Sequence, residues 1–156
     1  MHDLIIYTDG AARGNPGRGG YGAILMYGDK RKELSAGYRL TTNNRMELLA
    51  VIEALKAIKK NHVPIRIFTD SKYVVDSVQK GWLNNWIKTD FKGGKKNKDL
   101  WTEYYHLAKE FKIHFHWVKG HADNPHNNRC DELATAAADG GGLLRDVEYE
   151  KTAAGS

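Results

Sequence analysis

The hydrophobic periodicity of this chain changes at about residue 43, and this change limits the possible folds more than any other feature. Before it come three strand-like segments at residues 4–8, 21–27 and 32–40. Gly28, Asp29 and Lys30 separate the second segment from the third, a spacing and composition that suit a hairpin. After it, helical and strand-like segments alternate. This order predicts an antiparallel meander joined through helical crossovers to parallel strands.

The later segments follow from spacing and capping residues. A helix is predicted from Asn43 onward because apolar residues recur at helical intervals up to a polar stop at residues 59–61. Strands are predicted at residues 65–69 and 113–118, and Ser71 should cap a helix that continues to Trp82. Asp99 should open another helix, and Asn127 or Asn128 should cap a last one that ends at Gly140. We therefore expect an α/β fold with a five-stranded mixed sheet covered by helices.

Length and composition restrict the domain organisation and the class of partner. The chain has 156 residues, enough for one domain, which we place at residues 1–139, with residues 140–156 expected to form a flexible tail because they have little to bury. The formal charge of +5 favours polyanions, and nucleic acid above all. A single cysteine excludes an internal disulfide or a multi-cysteine zinc site. No apolar run approaches the ~18 residues of a membrane span, so we expect a soluble, cytoplasmic monomer without a membrane partner.

Two of the predicted strands end in the same way. Asp9 follows the first strand in IIYTDG, and Asp70 follows a later strand in RIFTDS. Aspartate after a strand is ordinary turn chemistry, and for either residue alone that reading is preferable. If the strands are parallel neighbours, however, both carboxylates emerge at one sheet edge, where a hard divalent cation would offset their repulsion.

Two further acids could join this pair. Glu47 is expected in the first turn of the long helix and Asp131 at the start of the last helix, where each could also simply complement a helix dipole. All four acids sit at element ends that could converge on one edge of the sheet. Ligation by oxygen alone suits Mg²⁺, or Mn²⁺ in its place.

Four segments in their order and spacing resemble the type 1 ribonuclease H family, and its bacterial members in particular. They are TDGAARGNPGRGGYGAIL, TTNNRMEL, FTDSKYV and WVKGHADNPHNNRCDELA, and the resemblance covers residues 4 to 138. It implies a ribonuclease H-like fold and an endonuclease that cuts the RNA strand of RNA/DNA hybrids. It also implies that Asp9, Glu47, Asp70 and Asp131 hold two Mg²⁺ ions, leaving 5′-phosphate and 3′-hydroxyl ends.

The same resemblance implies roles for polar residues near the acids. His121 would assist proton transfer or product departure, although without the resemblance a solvated loop histidine is the better reading. Asn15, Asn43 and Asn44 would touch the hybrid near the cut, and Thr42 and Arg45 would help to hold a DNA phosphate. For Asn15 and Asn43, turn and cap formation is the alternative. Lys72 stands where we expect a glutamine, so individual sugar contacts should differ.

A basic segment at residues 87–98 carries most of the net charge. It holds five lysines and one aspartate, between flanking tryptophans that include Trp82 and Trp86. A solvated loop is the usual meaning of such a run, but the concentration of charge favours contact with a polyanion. The segment corresponds to the family's basic protrusion, diluted here. The candidate substrate contacts in and beside it are Trp82, Trp86, Lys92, Lys95 and Lys96.

Alternative functions and sites also fit parts of this sequence. A same-fold DNA nuclease of the junction-resolvase type, or a hybrid-binding module without catalysis, would share the fold. His114 and His116 alternate with apolar residues and should face outward, so an H-x-H zinc site is disfavoured. Cys130 has the helical phase of a buried, inert thiol. Gly17, Gly19 and Gly22 fit G-x-G-x-x-G but lead into a strand, so they do not form a dinucleotide site.

Overall fold

A computed structural model describes residues 3–59, 63–93, 97–119 and 124–155 of the chain. Its sheet has the order β3-β2-β1-β4-β5, with the strands at the following positions: β1 (Leu4–Arg13), β2 (Gly17–Tyr27), β3 (Lys30–Thr41), β4 (Pro64–Thr69) and β5 (Lys112–Trp117). The first three strands pair antiparallel, whereas β4 pairs parallel with both β1 and β5. The predicted five-stranded mixed sheet is therefore confirmed.

Within the described residues, six helices accompany the sheet: α1 (Asn43–Lys56), α2 (Lys72–Gln79), α3 (Trp82–Lys88), α4 (Lys98–Ala108), α5 (Pro125–Asp139) and α6 (Val147–Gly155). Helix α1 packs on β1 and β2, and α5 packs on β1, β2 and β3. Gly19 faces Met46 of α1 while its neighbour Gly20 faces Ala134 of α5, so the two helices cover opposite faces of the sheet.

The main core lies between α1 and the sheet. The helical positions chosen from the sequence, including Leu48, Val51 and Ile52, are fully buried and pack with Ile6 and Ile67 of the central strands. Trp101 of α4 is also fully buried, and its indole N–H donates to the Tyr73 hydroxyl at 2.7 Å, so its polar atom is satisfied. This core makes β1 and β4 a rigid base for the residues that follow them.

The glycine-rich segment after the first strand is more regular than expected. The sequence predicts strands at residues 4–8 and 21–27 with no strand between them, but β1 runs to Arg13 and β2 begins at Gly17. A Cβ at Gly20 would stand 2.4 Å from the Ala134 carbonyl oxygen, and one at Gly22 would stand 2.4 Å from that of Cys130. These glycines therefore permit α5 to pack directly on the strand, and they do not mark a loop.

Two helix boundaries also differ from those predicted from the sequence. The helix expected to run from Ser71 to Trp82 is divided at Gly81, whose φ of +77° ends α2, although Ser71 does cap it by accepting from the Val74 N–H. The last helix is capped by Asn124, three residues before the first asparagine we proposed, since its side chain accepts from two amides of the first turn.

The C-terminal segment packs on the domain, although we expected it to have little to bury. Leu144 forms a parallel bridge with Tyr38, and its N–H donates to the Gly37 carbonyl at 2.9 Å. Asp146 is 8% exposed and accepts from the Thr41 hydroxyl at 2.7 Å. This segment thus lies against β3 before α6 begins.

Candidate active site

Three carboxylates from three elements meet at the carboxyl edge of the parallel strands. Tyr7 of β1 is opposite Phe68 of β4, so Asp9 and Asp70 both follow two residues beyond that pair. Glu47 of α1 is fixed beside them because its Oε1 accepts from the Gly10 N–H at 2.7 Å. One carboxylate oxygen from each of Asp9, Glu47 and Asp70 lies within 4.8 Å of the others. The structure therefore brings together three of the four acids chosen from the sequence.

The fourth acid, Asp131, lies close enough to act on this cluster by its charge. It is exposed on α5 and is not among the three acids whose oxygens share the 4.8 Å cluster, but its charge contributes to raising the pKa of Asp9. Glu47 and Asp131 are the fifth and seventh residues of their helices, not members of the first turn as expected. A dipole-complementing role is weaker at those positions, because the effect of the dipole fades within the first turn.

Burial and mutual repulsion make the charged form of this cluster costly. Asp9 is only 5% exposed; burial above all, and then the charges of Asp70 and Asp131, raise its pKa to about 7. The pKa of Glu47 also rises, chiefly by burial and then by the charge of Asp9. Glu47 Oε2 is buried and accepts no hydrogen bond from the described residues. Asp9 and Glu47 together therefore hold a proton near neutral pH unless a bound cation replaces that proton.

This donor set fits a hard divalent cation. All three converging ligands are carboxylate oxygens, which suit Mg²⁺ or Mn²⁺, and the unsatisfied Glu47 Oε2 is a buried oxygen that lacks a positive partner. The described residues contain no second such cluster and none that includes a histidine.

The start of α1 joins the tip of the first hairpin beside the acids. Asn15 Oδ1 accepts from the Asn43 N–H at 3.2 Å, and the Thr42 hydroxyl caps α1 by accepting from the Arg45 N–H at 3.2 Å. Asn43 and Asn44 are exposed. The structure thus gives Asn15 the turn role of our alternative reading, whereas the cap of α1 is Thr42 and not Asn43. The Asn43 and Asn44 side chains stay accessible.

Arg45 differs from the expected phosphate contact. Arg45 is only 3% exposed, and its guanidinium forms ion pairs with Asp99 and Asp146, each with a nitrogen–oxygen distance of 2.7 Å. Desolvation opposes the charge of this guanidinium, but the two carboxylates outweigh it and raise its pKa. In this arrangement Arg45 links α1, α4 and the C-terminal segment and does not present its charge to solvent.

The basic segment is only partly described. Trp82 is 43% exposed with the Lys80 ammonium 5.6 Å from its ring centre, and Lys92 is exposed. Trp86, by contrast, packs with its ring 6.0 Å from that of Trp101, so it belongs largely to the core. Lys95, Lys96 and the loop residue His121 lie outside the described residues, and their roles stay predictions.

Trp117 is a residue at this site that the sequence analysis missed. Its indole N–H donates to the Asp70 carbonyl oxygen at 3.1 Å, and the exposed Lys72 places its ammonium 4.8 Å from the ring centre. Trp117 is the last residue of the third parallel strand, opposite Thr69. The rule that sites lie beyond the carboxyl ends of parallel strands would have found it, had it been applied to every strand.

Cys130 and His114 lie as the sequence predicts, whereas His116 does not. Cys130 is fully buried, its Sγ donates to the Tyr7 carbonyl oxygen at 3.3 Å, and burial raises the pKa of its thiol, so the inert-core reading is confirmed. His114 is exposed as expected. His116 is half-buried instead, because its ring stacks on Phe68 at 4.8 Å and its Nε2 has no partner among the described residues.

Sequence comparison agrees with this geometry. The profile of the RNase H family matches residues 1–139, which hold all four acids. The chain belongs to the RNase H family. Membership of this family makes it an enzyme of the ribonuclease H class. It is 48% identical over 151 residues to a protein named Ribonuclease H from Desulforamulus reducens, covering 94% of each chain. It is 51% identical over 138 residues to another from Chlorobium luteolum, covering 86% of this chain and 94% of the relative.

Solved structures show the same fold. LC9-RNase H1, a type 1 RNase H with the type 2 active-site motif, superposes with a TM-score of 0.80 at 31% identity over 99% of this chain and 82% of that one. LC11-RNase H1, solved in complex with an RNA/DNA hybrid, gives a TM-score of 0.68 at 28% identity over 88% of this chain and 97% of its own. Within the described residues, no helix of this family member is long and apolar enough to cross a membrane.

Proposed function

We propose that this chain hydrolyses the RNA strand of RNA/DNA hybrids with two Mg²⁺ ions held by Asp9, Glu47, Asp70 and Asp131. The observation that carries the proposal is the convergence of three carboxylate oxygens within 4.8 Å at the carboxyl edge of the parallel strands. Membership of the RNase H family and the hybrid-bound neighbour support the choice of substrate. When bound, such ions activate a water for in-line attack and stabilise the leaving 3′ oxygen, which gives 5′-phosphate and 3′-hydroxyl ends.

The chain's own residues prepare the site for this chemistry. The Gly10 N–H fixes Glu47 Oε1, and the Glu47 carboxyl group also interacts with the Asp9 carboxyl group. The proton that this pair holds near neutral pH has to leave before the pair can act as ligands. Asp131 stands on a different helix, and its exposure allows it to complete the ligand set from the solvent side. His121 is proposed to assist proton transfer or product departure.

Substrate contacts are proposed around the rim of the site. The exposed Asn43 and Asn44, with Asn15 beside them, can hydrogen-bond to sugar and base edges in the minor groove, where the 2′-hydroxyl distinguishes RNA from DNA. Lys72 and the basic segment supply cations for backbone phosphates. Specificity for RNA is thus assigned to polar groups, and affinity to charge.

The test is cleavage of a labelled RNA/DNA hybrid, duplex RNA and duplex DNA in the presence and absence of Mg²⁺. We expect Mg²⁺-dependent cutting of the RNA strand in the hybrid alone, and a loss of about a hundredfold or more in Asp70→Asn. Asp3→Asn is the matched control, since Asp3 precedes β1 at the opposite end of the sheet and pairs with Arg66. Comparable cutting of duplex DNA would favour the resolvase reading, and normal turnover in Asp70→Asn would refute the ligand assignment.

A further inference from the structure

An exposed tryptophan beside the acids has contacts that its burial does not explain. Trp117 is 44% exposed, so it contributes little to the core. Its ring nevertheless joins two elements beyond its own strand: the turn after β4, through Asp70, and the first residue of α2, Lys72. Its contacts within the described residues therefore point to the candidate active site.

The hydrogen bond to Asp70 begins where the sheet ladder stops. Just beyond β5, the Val118 N–H donates to the carbonyl oxygen of Thr69, the last residue of β4, at 2.9 Å. The next carbonyl along β4 is that of Asp70, and it accepts from the Trp117 indole at 3.1 Å. The indole thus extends the pairing by one residue and restrains the main chain of a proposed metal ligand.

The face of the same ring holds a cation near the acids. The Lys72 ammonium lies 4.8 Å from the ring centre, within the range of a cation–π contact. Lys72 is only two residues from Asp70 and is exposed, and no ion pair joins it to another described residue. Held there, the ammonium can meet a phosphate that approaches the carboxylates.

We propose that Trp117 is a positioning residue whose indole holds both the Asp70 main chain and the Lys72 ammonium in place. Metal binding at Asp70 and phosphate binding at Lys72 then both depend on this one side chain. This inference rests on the proposed function for its phosphate component, whereas the metal component can be measured without substrate. The two contacts use different parts of the indole, its N–H and its face, and can therefore be removed separately.

Three variants of the full chain separate the contacts. Trp117→Phe keeps an aromatic face but removes the N–H, so we expect Mg²⁺ binding by calorimetry to weaken about three- to tenfold without hybrid, with KM for the hybrid unchanged. Lys72→Met should raise KM and flatten the log–log salt dependence by up to about 0.9, leaving Mg²⁺ binding no weaker. Trp117→Ala should show both effects.

Controls keep these outcomes distinguishable. Lys109→Met removes a similar cation–π contact with Tyr105 on α4 and should change neither readout. A urea unfolding midpoint close to that of the wild type in Trp117→Phe would exclude a folding defect. Unchanged Mg²⁺ affinity in Trp117→Phe, or an unchanged salt slope in Trp117→Ala, would overturn the inference. If the wild type fails to cut hybrid while Trp117→Phe still weakens Mg²⁺ binding, the proposed function fails and the assignment to Asp70 stands.

Discussion

Replacing Asp9 by asparagine should stabilise the metal-free protein, and the gain should grow with pH. In the folded chain, burial and the neighbouring acids raise the pKa of Asp9 from its ordinary 3.8 to about 7. Between these values the folded state keeps a proton that the unfolded state has lost. The free energy of unfolding of the wild type therefore falls as the pH rises from about 4 to about 7.

The size of the effect follows from the same pKa. Each pKa unit corresponds to about 1.4 kcal/mol, so a rise from 3.8 to about 7 costs up to about 4 kcal/mol once the group is forced to ionise. Asparagine does not ionise, and its amide can donate to the neighbouring Glu47 carboxyl group. We expect Asp9→Asn to match the wild type near pH 4 and to exceed its stability by up to about 4 kcal/mol near pH 8.

The measurement is urea unfolding of wild type and Asp9→Asn across this pH range in the presence of a chelator. Asp3→Asn is the control: this aspartate precedes β1 at the opposite end of the sheet and is partly exposed, so the substitution should show no comparable gain with pH. Adding Mg²⁺ should stabilise the wild type and not the variant, because ligand binding to the folded state adds to its stability. A gain that does not increase with pH would refute the proposed proton-sharing at Asp9.

Two other predictions concern the C-terminal segment and the basic segment. Asp146→Asn should lower the free energy of unfolding by about 2–4 kcal/mol, because it leaves the buried Arg45 with Asp99 as its one carboxylate partner among the described residues. Asp139→Asn breaks the exposed pair with Arg13 and should have a much smaller effect, so equal losses in urea unfolding would contradict the structural role of the buried pair. The second change replaces four lysines of the basic segment by alanine: Lys92, Lys95, Lys96 and Lys98. It should raise KM for the hybrid and flatten the salt dependence of KM, while kcat changes little. Wild-type values of KM across a salt series would mean that the segment is only a solvated loop.

Local sequence was sufficient for the order of elements and for most of the acids. The change from strand to helical periodicity predicted the meander and the parallel strands because each element must turn its apolar face to a common core. The repeated Thr-Asp at two strand ends then placed Asp9 and Asp70 together, since parallel strands end at the same edge of a sheet. Ser71 was recognised as a cap because its side chain bonds within its own turn.

Features that depend on close approach between distant segments were not visible in the sequence. The glycines of β2 look like loop residues until α5 is packed against them. Arg45 looks like a phosphate ligand until Asp146, 101 residues later, docks beside it. The link between Trp117 and Asp70 likewise crosses 47 residues. Periodicity and capping report only interactions within a few residues, whereas these contacts exist only once the folded chain has fixed the distance and orientation between its elements.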